Sequence, residues 1–153
     1  MASKLAAAKI AAWSGVRTVI ASAQRENVLP DAVAGVASVG TVVVPHDRNL
    51  PARKLWIAFA VGSSGTVVVD DGARRALLAG GNSLLAAGVV DVRGSFGADD
   101  AVEVATPDGA VFAKGIVRAD AVAIKGVAGK RSGELPDGTP PWVIHRDDLV
   151  VLP

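Results

Sequence analysis

Cysteine and tyrosine are both missing from these 153 residues. Without cysteine there is no disulfide framework, thiolate nucleophile or cysteine metal site. Without tyrosine a common stacking partner for a nucleic-acid base is gone. Long apolar runs are missing too, because Lys4, Lys9 and Arg17 interrupt the first apolar region, well short of the roughly 18 to 20 residues of a membrane helix. Lys9 also falls where a secretory peptide would need its apolar core, so the start does not read as one. The expectation is a cytoplasmic protein with no membrane partner.

Half of the chain is apolar, enough for a core in one ordinary domain or two small ones. The formal charge of +1 conceals an uneven split. Residues 1 to 55 hold seven Lys/Arg against three acids, and the remainder holds nine against twelve. The two parts are electrostatically different objects.

The chain opens directly on a helix. Ser3 is the expected N-cap, Leu5 to Ala12 are strong helix formers, and Gly15 is the stop. Lys4 is the odd residue, a cation in the first turn facing the positive end of the helix dipole, unless a phosphate sits there. Taken alone, a lysine extended into water at a frayed end explains it more simply. Val16 to Ala21 reads as a buried strand of a parallel sheet, Pro30-Asp31 as the opening of a short helix through about Val36, and Thr41 to Val44 as another strand. Helix, strand, helix, strand is the back end of a βαβ layer. Two such strands cannot bury both faces of a parallel sheet, so the segment wants partner strands.

Residues 46–54, polar and containing Pro51, read as a linker between a piece spanning 1–45 and a second domain spanning 55–153. Beyond it the pattern turns mostly β. Leu55 to Val61 is expected as a strand, Thr66 to Val69 as the next, and Asp70 or Asp71 as the cap of a helix from Ala73 to Ala79. Thr106-Pro107-Asp108-Gly109 specifies a type I hairpin turn between two strands. A short helix near Asp120 to Val127, an irregular Gly/Pro-rich stretch, and strands at Trp142 to Ile144 and Leu149 to Leu152 complete the pattern. The expected fold class is an α/β remnant followed by a mixed, mostly β pseudo-barrel.

Six segments in order resemble the C-terminal portion of bacterial glutamate 5-kinase: Met1 to Ala8, Arg53-Lys54-Leu55-Trp56-Ile57, Thr66 to Ala73, Asn82 to Val89, Ala128 to Ser132, and His145 to Leu149. The resemblance covers nearly the whole chain. It implies that 1–45 closes an amino-acid-kinase domain and that 55–153 is a PUA domain. It implies a full-length enzyme that phosphorylates the γ-carboxylate of L-glutamate with ATP and Mg2+ in proline biosynthesis, and a homo-oligomer. Met1, Ala2, Ser3 and Lys4 would then lie at the ATP site, with Lys4 as the catalytic lysine steadying the transferring phosphoryl group. On that basis the phosphate reading of Lys4 overtakes the solvated one. Ser3 stands where the family often has threonine and keeps the hydroxyl.

Departures matter equally. The family's glycines before the Met1 position, its first phosphate loop, its other catalytic lysine, its glutamate-binding and acidic catalytic residues and its Mg2+ ligands are not in this sequence. Arg118 to Val122 and Gly133 to Pro141 also depart from the family pattern. Met1 therefore reads as an internal methionine of a longer enzyme, and the chain alone is expected to be inactive, its second domain regulatory or assembling. The alternative is an RNA-binding PUA module without kinase activity. It ranks lower, because residues 56 to 153 carry a net negative charge whereas backbone-tracking binders need a basic field. A bare structural module is the third possibility.

Other motifs reduce to plainer roles. His145-Arg146-Asp147-Asp148 looks like a protein-kinase catalytic loop, but Leu152 stands where that loop needs asparagine. Adjacent aspartates rarely converge on one metal ion, so a polar turn is expected there. Gly94-Ser95-Phe96-Gly97 is too short for a phosphate loop.

Overall fold

The computed structural model describes residues 1–46 and 50–152. Residues 47–49 of the expected 46–54 linker, and residue 153 of the expected second domain, lie outside the described residues. The chain separates into two compact units, Met1–Leu55 and Trp56–Pro153.

The first unit contains α1 (Ala2–Trp13), β1 (Thr18–Ala21), α2 (Val28–Ala34), β2 (Gly40–Val43) and α3 (Ala52–Leu55). Ser3 is not the N-cap of α1. Met1 takes that position without a side-chain hydrogen bond, because the helix begins two residues earlier and Ser3 falls inside its first turn. Gly15 does end the helix, at φ +77, a conformation open to glycine at no steric cost.

The α/β character of this unit is as expected, but its two strands pair antiparallel, Thr18 opposite Val43 and Ala21 opposite Gly40. A parallel crossover requires the connecting helix to run back over the sheet and bury a face on it. Helix α2 has only seven residues and none of them is buried. The chain simply reverses, and Arg25 ties the reversal by donating to the Ser38 carbonyl at 3.1 Å.

The second unit holds a six-stranded sheet in the order β4-β8-β7-β6-β3-β5. Its strands are β3 (Gly65–Val69), β4 (Leu84–Leu85), β5 (Val89–Gly94), β6 (Ala101–Ala105), β7 (Val111–Val117) and β8 (Trp142–Val151). Among the described residues only β3 and β6 run parallel. Two helices, α4 (Asp71–Leu78) and α5 (Ala121–Val127), place Leu77 and Ile124 against Val67, Val104, Val117 and Ile144, all almost fully buried. Full burial of each such side chain contributes about 1.5–3 kcal/mol.

Both helices begin as their sequences dictate. Asp70 accepts from the Ala73 amide at 2.7 Å and Asp120 from the Ala123 amide at 2.8 Å, each satisfying a backbone donor that the helix itself leaves unpaired. The β6–β7 hairpin closes through the Gly109 amide donating to the Thr106 carbonyl at 2.9 Å, with Gly109 at φ +90.

Two expected features are absent. Leu55 to Val61 is not a strand: α3 ends at Leu55 and Trp56–Ala60 forms a π-helical turn. The run is apolar at every position, so it carries no period to separate helix from strand, and the preceding Ala-Arg-Lys starts a helix. Nor is His145 to Asp148 a turn between strands. These four residues of β8 face the single residue Ile116 as a bulge within one continuous strand.

Candidate functional site

The four residues singled out in the sequence form the start of α1, and all four are exposed. The amides of Ala2, Ser3 and Lys4 precede the first helical hydrogen bond, Leu5 N–H to Met1 C=O at 3.1 Å. Neither a capping side chain nor an acidic residue lies in this first turn. The positive end of the dipole and the Lys4 ammonium therefore face the same space without an internal counter-charge. The Lys4 side chain makes no hydrogen bond or ion pair with the described residues. Such an end suits an anion.

Lys4 also stands at one end of a groove of about 420 Å³ between α1 and β1. Small side chains make this space: Ala7, Ala8 and Ala11 form one wall and β1 the other. Ala8 is buried, which holds α1 against the strand while the lysine one turn earlier remains free to reach outward.

The remaining polar motifs are structural in place. His46 packs its ring on Trp13, centroids 4.2 Å apart, and its amide donates to the Ala12 carbonyl. Asp70 is a helix cap, and Asp71 occupies the first turn behind it. Asp147 points outward beside His145, while Asp148 turns inward, its side chain 4% exposed. Among the described residues no cluster of three or more His, Cys, Asp or Glu side chains is placed to hold a metal ion.

Sequence reasoning missed two buried charges of the second unit. Arg118 reaches Asp148 at 2.6 Å and Asp99 at 3.1 Å. Lys114, on β7, is buried and donates its ammonium to the Val61 carbonyl just past the π-helical turn. Burial pushes its pKa below the ordinary value, against the smaller opposing effect of Glu103, its partner on β6. The one local signal was the placement of Lys114 among apolar neighbours on a strand, Val111-Phe112-Ala113 and Gly115-Ile116-Val117.

Known proteins resemble this chain both within the second unit and along its whole length. Residues 65–138 match the PUA domain. A glutamate 5-kinase of Corynebacterium diphtheriae is 40% identical over 149 residues, covering 97% of this chain and 39% of the relative. One of Thermosynechococcus vestitus is 41% identical over 155 residues, covering 99% and 42%. The chain spans about two fifths of the length of these curated relatives and aligns with their C-terminal part. A solved PUA domain from Aeropyrum pernix K1, in complex with tartrate, is 29% identical with a TM-score of 0.42, covering 63% of this chain and 50% of that one.

Proposed function

From a PUA domain at residues 65–138 and a whole-length correspondence to the C-terminal part of glutamate 5-kinases, we propose that this chain supplies the end of a kinase active site together with a regulatory or assembly domain. The reaction is transfer of the ATP γ-phosphoryl group to the γ-carboxylate of L-glutamate in proline biosynthesis. A carboxylate oxygen attacks phosphorus, the bond to ADP breaks, and an acyl phosphate forms.

The observation that carries the proposal is the uncapped start of α1 beside Lys4. Phosphoryl transfer is catalysed chiefly by positioning and by positive charge around the equatorial oxygens. In this reading the Ala2, Ser3 and Lys4 amides hold terminal phosphate oxygens, and the Lys4 ammonium meets the charge that develops on the transferring group. The residues fit the phosphate end of ATP, since no carboxylate stands in the first turn to oppose it. Mg2+ supplies charge neutralisation when bound. In this proposal its ligands, the glutamate-binding residues and the second phosphate loop belong to the portion of the relatives that this chain does not match. Residues 1–45 close the kinase domain, 46–54 link, and 55–153 form the appended domain of a cytoplasmic, oligomeric enzyme.

The test is a kinase assay on the chain alone and on a fusion to the N-terminal portion of the C. diphtheriae relative that the chain does not match. The chain alone is expected to show no ADP release above background, and the fusion to turn over glutamate. Turnover by the isolated chain, or a fusion indifferent to Lys4→Ala, would overturn the proposal.

A further inference from the structure

The second unit contains a cavity of about 360 Å³ that neither the PUA correspondence nor the proposed kinase reaction uses. Most of its lining is apolar. Ile124 and Val127 of α5, Pro136 and Pro140, and Trp142 and Val143 at the start of β8 all line it. The two prolines stiffen their wall, because their fixed φ leaves that segment few alternatives. Gly126 opens the helical wall: a Cβ built there would meet nothing within 4 Å.

The polar groups at this cavity are unequal. Arg118 lines it, but its guanidinium is already matched by Asp148 at 2.6 Å and Asp99 at 3.1 Å. Lys130 also lines it and makes no ion pair or side-chain hydrogen bond with the described residues. Its position is set by the backbone, through the Lys130 amide donating to Val127 C=O at 3.1 Å and the Gly129 amide to Ala86 C=O at 2.9 Å. No carboxylate lines the cavity, and Thr139 adds a neutral hydroxyl. A mostly apolar, half-open cavity of this size with one unmatched cation has the makeup of a small-molecule site.

We propose that this cavity binds a small amphipathic carboxylate, with its apolar body against α5, Pro136, Pro140 and Trp142 and its carboxylate on Lys130. The pairing requires a negative group, since a neutral analogue leaves the ammonium unmatched and an amine places two cations together.

Phenylacetate is the probe, titrated into the full 15N-labelled chain, with the Trp142 indole N–H identified by its loss in Trp142→Phe. A saturable shift of that signal is expected, with a dissociation constant of about 1 mM or tighter. Phenethyl alcohol should bind more weakly and phenethylamine more weakly still. Lys130→Gln, at an exposed position, should weaken phenylacetate binding about three- to tenfold without changing the melting temperature. Gly126→Leu should fill the cavity and abolish the shift. Equal binding of the amine or the alcohol, unaltered affinity in Lys130→Gln, or no saturable shift by about 20 mM phenylacetate would each overturn the proposal.

Discussion

Arg118, at the end of β7, reaches Asp148, in the bulge of β8, at 2.6 Å, although the two lie thirty positions apart in the chain. Asp148 is almost fully buried while Arg118 is 44% exposed. The arginine thus compensates a carboxylate that has left solvent, and at the same time fixes the bulge that Ile116 alone opposes. Arg118→Ala removes this 2.6 Å partner from a buried carboxylate, with an expected cost of about 1–3 kcal/mol once the exposure of the arginine is allowed for. Asp99→Ala removes only the outer partner, 72% exposed, and should cost under about 0.5 kcal/mol. Urea unfolding of the two variants measures the contrast, and equal losses would refute this assignment.

Lys114 sets a pH dependence. Its folded pKa lies below its ordinary value of 10.5, chiefly through burial. Below the folded pKa both states hold the proton and the penalty for burying the charge is fully present. Between the folded pKa and 10.5 the unfolded chain binds more proton, so this group makes stability rise with pH until the two states again match. Lys114→Met should remove that rise from urea midpoints taken as the pH approaches 10.5. A parallel rise in both proteins would show that Lys114 is not its source.

Asp70 and Asp120 are expected to contribute about 1 kcal/mol each through their caps. Asp71→Ala, which loses only a favourable charge at the start of α4, should cost less than Asp70→Ala. Reversal of that order in chemical denaturation would discount the capping geometry.

Two glycines should respond to alanine with opposite sign. At Gly115 the added Cβ would lie 2.6 Å from Ile144 Cγ2 and 2.9 Å from the Asp148 carbonyl, opposite the β8 bulge. That overpacking is expected to cost about 1–3 kcal/mol. At Gly126 the Cβ meets open space on a helix, and alanine should gain about 0.5–1 kcal/mol. Thermal denaturation of both variants tests the pair.

In the active fusion, Lys4→Ala is expected to lower kcat by about a hundredfold or more while the melting temperature stays unchanged, since the exposed side chain supports nothing in the described fold. A loss confined to stability would remove Lys4 from the phosphate role.

What the sequence determined by itself was local. Asp70 and Asp120 cap helices because a short carboxylate reaches an amide three residues on, whatever lies around it. Thr106 to Gly109 turns the chain because proline and glycine restrict or free the backbone at fixed offsets. The six segments in order pointed to the glutamate 5-kinases whose C-terminal part the chain resembles, and to the PUA match at residues 65–138. Tertiary structure decided whatever depended on distant partners. Leu55 to Val61 has no alternation, so only its surroundings could make it helical. The first two strands pair antiparallel because α2 is too short to bury a face on them. His145 to Asp148 forms a bulge because β7 offers one residue where β8 has four. Lys114 and Asp148 are buried because sheet register, which no local pattern of charge encodes, brings Val61 to one and Arg118 to the other.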